Sequence, residues 1–96
     1  MQKQPIVMES YKRKICSASM AKLTVELIRQ FLMGEVEVPP CLRVAQSGLI
    51  GIHSIDFEYK GKVATLDIGD WIGKDDAGDW FWCRRKLFEE CWVKEA

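Results

Sequence analysis

Two stretches of alternating apolar and polar residues meet at Lys60-Gly61, and no other feature limits the fold of this chain so tightly. A two-residue loop there, with glycine free to take a positive φ, closes a β-hairpin. The hairpin sets Tyr59 opposite Lys62, Phe57 opposite Ala64, Ile55 opposite Leu66 and His53 opposite Ile68 on one face. Glu58 with Val63, Asp56 with Thr65 and Ser54 with Asp67 fall on the other. A slip of one residue would turn the whole apolar row toward water, so the register is strongly specified. Upstream, Ile50 and Ile52 are out of phase with Ile55, and a bulge near Gly51 restores the phase.

The cover for the apolar face has to come from the rest of the 96 residues. Residues 19–33 predict a helix: Met20, Leu23, Leu27, Ile28 and Phe31 recur at helical spacing, with Lys22, Glu26, Arg29 and Gln30 on the other side. Ser17 or Ser19 can cap its start, and Gly34 can end it in a left-handed conformation. Residues 76–94 predict a second helix, with Trp80, Cys83, Leu87, Phe88, Cys91 and Trp92 on one face, and Trp82, Lys86, Glu89 and Val93 opposite. A competing reading makes residues 79–85 a strand against 64–71, since aromatic density favours strands. We favour the helix. Residues 5–16 read as a first strand or extended arm, 35–40 as extended chain before prolines, and 41–46 as a short strand. The expectation is one α+β domain spanning 1–96, with a single antiparallel sheet of three to five strands packed against two helices in the order β-α-β-β-β-α.

Composition narrows function mainly by exclusion. Apolar residues make up 48% and charged residues 29%, the balance of a folded globular domain and not of a disordered one. Net charge is zero, which argues against bulk nucleic-acid binding, so nucleic acid is not the expected partner. The charge is uneven, however: residues 1–34 carry six basic and two acidic side chains, and residues 35–83 carry four basic and nine acidic. No apolar run is long enough for a membrane helix, and no apolar signal core follows the N-terminus, so the expected location is the cytoplasm. In that compartment Cys16, Cys41, Cys83 and Cys91 read as reduced thiols. They show no C-x-x-C pairing, so no metal is expected, and each is read as a small buried hydrophobe.

Catalytic patterns are missing too. Asp67, Asp70, Asp75, Asp76 and Asp79 cluster, but without the alternate-position spacing and closing glutamate of a calcium loop. They read instead as turn residues and as acids at a helix start. His53 is the only histidine, and no motif places a nucleophile beside it. No phosphate loop, dinucleotide fingerprint or G-x-S-x-G is present, and no cofactor is expected.

The surplus is aromatic. Six of ten aromatic residues lie within 71–92: Trp71, Trp80, Phe81, Trp82, Phe88 and Trp92. A core this small absorbs roughly three or four such rings, at ~150–250 Å2 each. Trp and Arg dominate interface hot spots. The first expectation is therefore a non-catalytic interaction module that binds a protein partner or a second copy, as a homodimer, through Trp71, Trp82, Arg84 and Arg85. A second is a small-ligand binder or minor enzyme with a pocket near His53 and Trp80. A third is a regulator that touches nucleic acid through residues 3–14, where Lys12-Arg13-Lys14 lies, or mimics it through residues 67–79.

Overall fold

The computed structural model describes residues 3–47 and 52–95, and the side chains of all of these but 46, 47, 52 and 53. Among these residues it is an α+β chain built on two antiparallel sheets, one of five strands and one of three, with two helices. The expectation of a single sheet covered by two helices is thereby corrected. The chain divides into two compact units: residues 1–6 with 24–68, and residues 7–23 with 69–96.

The first unit holds α1 (Val25–Leu32) and the strands β3 (Leu42–Ser47), β4 (Ile52–Tyr59) and β5 (Lys62–Leu66), in the sheet order β3-β4-β5. The β4–β5 register matches the expectation from Tyr59↔Lys62 through Ile55↔Leu66. Lys60 and Gly61 sit at φ +47° and +79°, both left-handed, the geometry of a two-residue hairpin turn. The expected pairs Ser54–Asp67 and His53–Ile68 do not form: β5 ends at Leu66, and the chain turns away toward Gly69 at φ +100°. The expected bulge near Gly51 lies outside the described residues. Ile55, Phe57 and Leu66 are buried, as are Ile28 and Phe31 of α1, while Arg43 on the opposite face meets Glu58 at 3.0 Å.

The helix is shorter than the 19–33 its periodicity suggested. Thr24 caps it, its hydroxyl accepting from the Leu27 N–H at 3.1 Å, so neither Ser17 nor Ser19 serves that role. Gly34, at φ +74°, follows the C-cap Met33 as expected. Residues before the cap are a strand because Ala18 and Met20 are buried at a spacing of two, a pattern helical counting had absorbed.

The second unit holds β1 (Glu9–Arg13), β2 (Cys16–Lys22), β6 (Trp71–Asp75), β7 (Trp80–Cys83), α2 (Arg85–Cys91) and β8 (Val93–Lys94). Its sheet order is β7-β6-β2-β1-β8. The helix expected across 76–94 is thus replaced by a strand, a seven-residue helix and a terminal bridge. The competing strand reading was nearer, but β7 pairs with 71–74 and not with the whole of 64–71. The turn explains the shift. Asp75 Oδ1 accepts from the N–H groups of Ala77 (3.0 Å) and Asp79 (2.9 Å), and Gly78 takes φ +86°. That is a three-residue hairpin loop with glycine in the left-handed position.

Candidate binding surface

Antiparallel pairing puts partners on the same face of the five-stranded sheet. Tyr11, Ala18, Met20, Trp71, Gly73, Phe81 and Cys83 therefore share one face, and Ala21, Ile72, Trp80 and Trp82 share the other. The first face carries α2. Its buried centre is small: Ala18, Met20, Cys83 and Phe88, with Tyr11, Trp71, Phe81 and Trp92 packed around it. The rings form a continuous run. Trp71 stacks on Phe88 at 3.7 Å between centroids, and Tyr11 meets both edge-on at 5.3 and 4.9 Å. Trp92 continues the run at 6.4 Å from Phe88 and 5.8 Å from Phe81. Gly73 makes room for it: a Cβ there would collide with Met20 Sδ and the Phe81 ring.

The far end of this face is open. A groove of about 420 Å3 is lined by Phe81 and Trp92, both half-buried, and by Arg13, Lys14, Ile15, Cys16 and Asp75. Its upper rim is the two-residue loop between β1 and β2. Lys14 takes φ +55° there, and Ile15 is 94% exposed. Asp75, on the groove wall, has one carboxylate oxygen engaged by two backbone N–H groups of its turn. No described residue forms an ion pair with Arg13 or Lys14, so the groove combines aromatic walls with a cationic rim. A smaller groove of about 320 Å3 shares Lys14 and is lined by Lys12, Cys91, Val93, Lys94 and Glu95. Lys94 is held by Glu9 at 2.9 Å, which keeps its ammonium protonated beyond its ordinary range, chiefly by that hydrogen bond.

The residues first expected at an interface do not form one patch. Trp71 is part of the ring stack on the helix-bearing face. Trp82 lies on the other face, half-buried, with the Arg84 guanidinium 4.7 Å above its ring. Arg84 also donates to Asp70 Oδ2 at 2.7 Å, and the backbone N–H of Arg85 donates to Asp70 Oδ1 at 3.1 Å. Asp70 is 5% exposed. It acts as the cap that α2 lacks in its own sequence, because Arg84, at the cap position, offers no acceptor side chain. Arg85 is exposed, with its side chain running past Gly69.

For the alternative pocket, Trp80 is 9% exposed, with the Lys74 ammonium 5.4 Å from its ring. His53 stands opposite Gln46 in the β3–β4 ladder, and its side chain lies outside the described residues. Neither residue lines the two grooves described above. Among the described residues no group of three or more His, Cys, Asp and Glu side chains could hold a metal ion, and no helix is long and apolar enough to cross a membrane.

Sequence reasoning passed over Ile15, Phe81 and Trp92 as a group. The one available signal was an isoleucine inside a basic run, Arg13-Lys14-Ile15. Neither Lys14 nor Ile15 is a usual turn residue, so the hairpin went unnoticed. No family model, no curated protein and no solved structure matches the chain.

Proposed function

We propose that the chain is a non-catalytic interaction module that binds a protein partner, or a second copy of itself, through its tryptophan-rich second unit. One observation carries this reading. Of the six rings at 71–92, only Trp80 and Phe88 are buried, and Trp71, Phe81, Trp82 and Trp92 remain half-buried. Half-buried tryptophans beside arginine are the side chains that yield most when a partner excludes water from them. The Trp82–Arg84 stack and the Phe81–Trp92 groove offer such positions on the two faces of the sheet. Four free cysteines fit a reducing compartment such as the cytoplasm.

Solution mass measured against concentration tests self-association, and affinity capture with Trp82→Ala as the control tests a distinct partner. Trp82→Ala is expected to lower association about tenfold or more, a loss of roughly 1.4 kcal/mol per decade. It should leave the far-UV spectrum unchanged. A variant that unfolds with no change in stoichiometry would place Trp82 in the core and remove the reading.

A further inference from the structure

The groove between the β1–β2 loop and the Phe81–Trp92 pair supplies a more specific assignment, which rests on the interaction reading above. We propose that it takes an acidic peptide segment of a protein partner. One apolar or aromatic side chain of that segment seats against Phe81 and Trp92, and flanking carboxylates meet Arg13 and Lys14.

Several features converge on this occupant. A single exposed isoleucine is ordinary on a protein surface. Ile15 differs because it stands on the rim of a groove whose walls are two half-buried rings stacked at 5.8 Å. A volume of about 420 Å3 accommodates a large side chain with part of its backbone. The charge on the rim is positive: Arg13 and Lys14 stand there, Lys12 is next in sequence, and the single acid, Asp75, has an oxygen engaged by its own turn. Complementary charge at a rim directs which partner docks and in which register.

The acidic cluster at 67–79 of a second copy does not offer this ligand. That cluster is not an extended strip: Asp70 is buried, held by the Arg84 guanidinium and the Arg85 backbone N–H, and Asp75 shapes the β6–β7 turn. Nucleic acid fits less well, since strand binding needs a basic track over several phosphates. Here two cations of the rim flank an apolar floor with a carboxylate on its wall.

The test uses the full chain and a fluorescein-labelled short peptide with a central phenylalanine flanked by glutamates, read by fluorescence anisotropy. Saturable binding is expected, with a Kd of roughly 1–100 μM, as befits a small interface. Raising the salt should weaken it. The double variant Arg13→Glu with Lys14→Glu should weaken it at least about tenfold, and Ile15→Ser about threefold to fivefold. All three positions are exposed, so these variants should fold as the parent does. Bound peptide should also slow alkylation of Cys16, an exposed thiol in the groove wall. A lysine-flanked peptide should not bind.

Absence of saturable binding, or equal affinity for the charge-reversed variant, would overturn the assignment. So would displacement of the peptide by a single-stranded oligonucleotide or by phosphatidylserine vesicles at lower concentration. If Trp82→Ala still disrupts association while the peptide fails to bind, the groove assignment falls and the interaction reading stands. If neither has an effect, both fall.

Discussion

The two units of this chain bury their apolar residues in different ways. The first closes over aliphatic side chains and two phenylalanines: Ile28, Ile55 and Phe57 are at most 2% exposed, and Phe31 and Leu66 at most 5%. The second buries Met20, Leu23 and Ile72 as fully, but adds a run of rings, and four of its six C-terminal aromatics stay half open. Branched aliphatic side chains interdigitate at high density between a helix and a sheet. Flat rings stack edge and face, and a run of them over a short helix leaves a groove where the stack ends. The two units thus differ in the type of side chain that stays half open: in the second unit it is a run of rings, and the interaction proposed above draws on those rings.

Truncating the largest fully buried side chain should have the largest effect. Phe57 is fully buried in the central strand of the three-stranded sheet. Phe57→Ala is expected to cost about 3–5 kcal/mol. The cysteines report where the cost falls. Cys41 in the first unit is 0% exposed, and burial pushes its thiol up to about 12 from 9.0. Burial also raises Cys83 in the second unit. Neither should react with iodoacetamide until its unit opens. Phe57→Ala should expose Cys41 at lower denaturant than Cys83. If both thiols open together at every denaturant concentration, the units differ in packing and not in cooperativity. The same thiol sets an alkaline limit. Its folded pKa lies above its unfolded value, so the unfolded chain loses the proton first. The contribution of Cys41 is therefore fully present below pH 9.0 and is lost as pH rises toward 12.

The second unit is expected to be most sensitive at Asp70. Its carboxylate caps α2 and pairs with Arg84, which is itself 46% exposed, so solvent screens part of the pair. Asp70→Ala should cost about 2–3 kcal/mol, combining a lost cap with a lost charge-assisted hydrogen bond. Asp70→Asn keeps an acceptor for the Arg85 N–H and should cost roughly half as much. Chemical denaturation with near-UV circular dichroism checks both, because α2 supplies Phe88 to the ring stack. A loss below ~0.5 kcal/mol for Asp70→Ala would show that α2 is held by its rings alone.

The same contrast explains what could be read from the sequence. The β4–β5 register was legible pair by pair from 55 to 66, because a two-residue turn and a period-two apolar row are both local. The second unit was not legible, because its sheet joins β2 to β6 across about fifty residues of intervening chain. Two local patterns also coincided. Met20 fits a helical face with Leu23 and a strand face with Ala18, and the strand prevailed through its pairing with Gly73. Trp80, Cys83 and Leu87 fit one helical face, yet β7 pairs with β6 as far as Cys83 before α2 begins at Arg85. Asp70, the cap that starts α2 there, is far from it in sequence. The groove needed three distant segments at once, around residues 13–16, 75–81 and 92, and no local spacing announces such a meeting.

The smallest expected effect lies in the legible turn itself. Lys60 holds φ +47°, a left-handed conformation that side chains other than asparagine, aspartate and glycine adopt at a cost. Asn-Gly is the preferred pair for a turn with both central residues left-handed. Lys60→Asn should therefore stabilise the first unit by about 0.5–1 kcal/mol, less whatever the lysine contributes through its ammonium 5.5 Å from the Tyr59 ring. A thermal melt reads the difference. A rise confined to Cys41 protection, with Cys83 unchanged, would show that a turn set by local chemistry is felt within its own unit; a fall would mean that the cation over Tyr59 outweighs the backbone strain, and that even this most local element is held by its side chains.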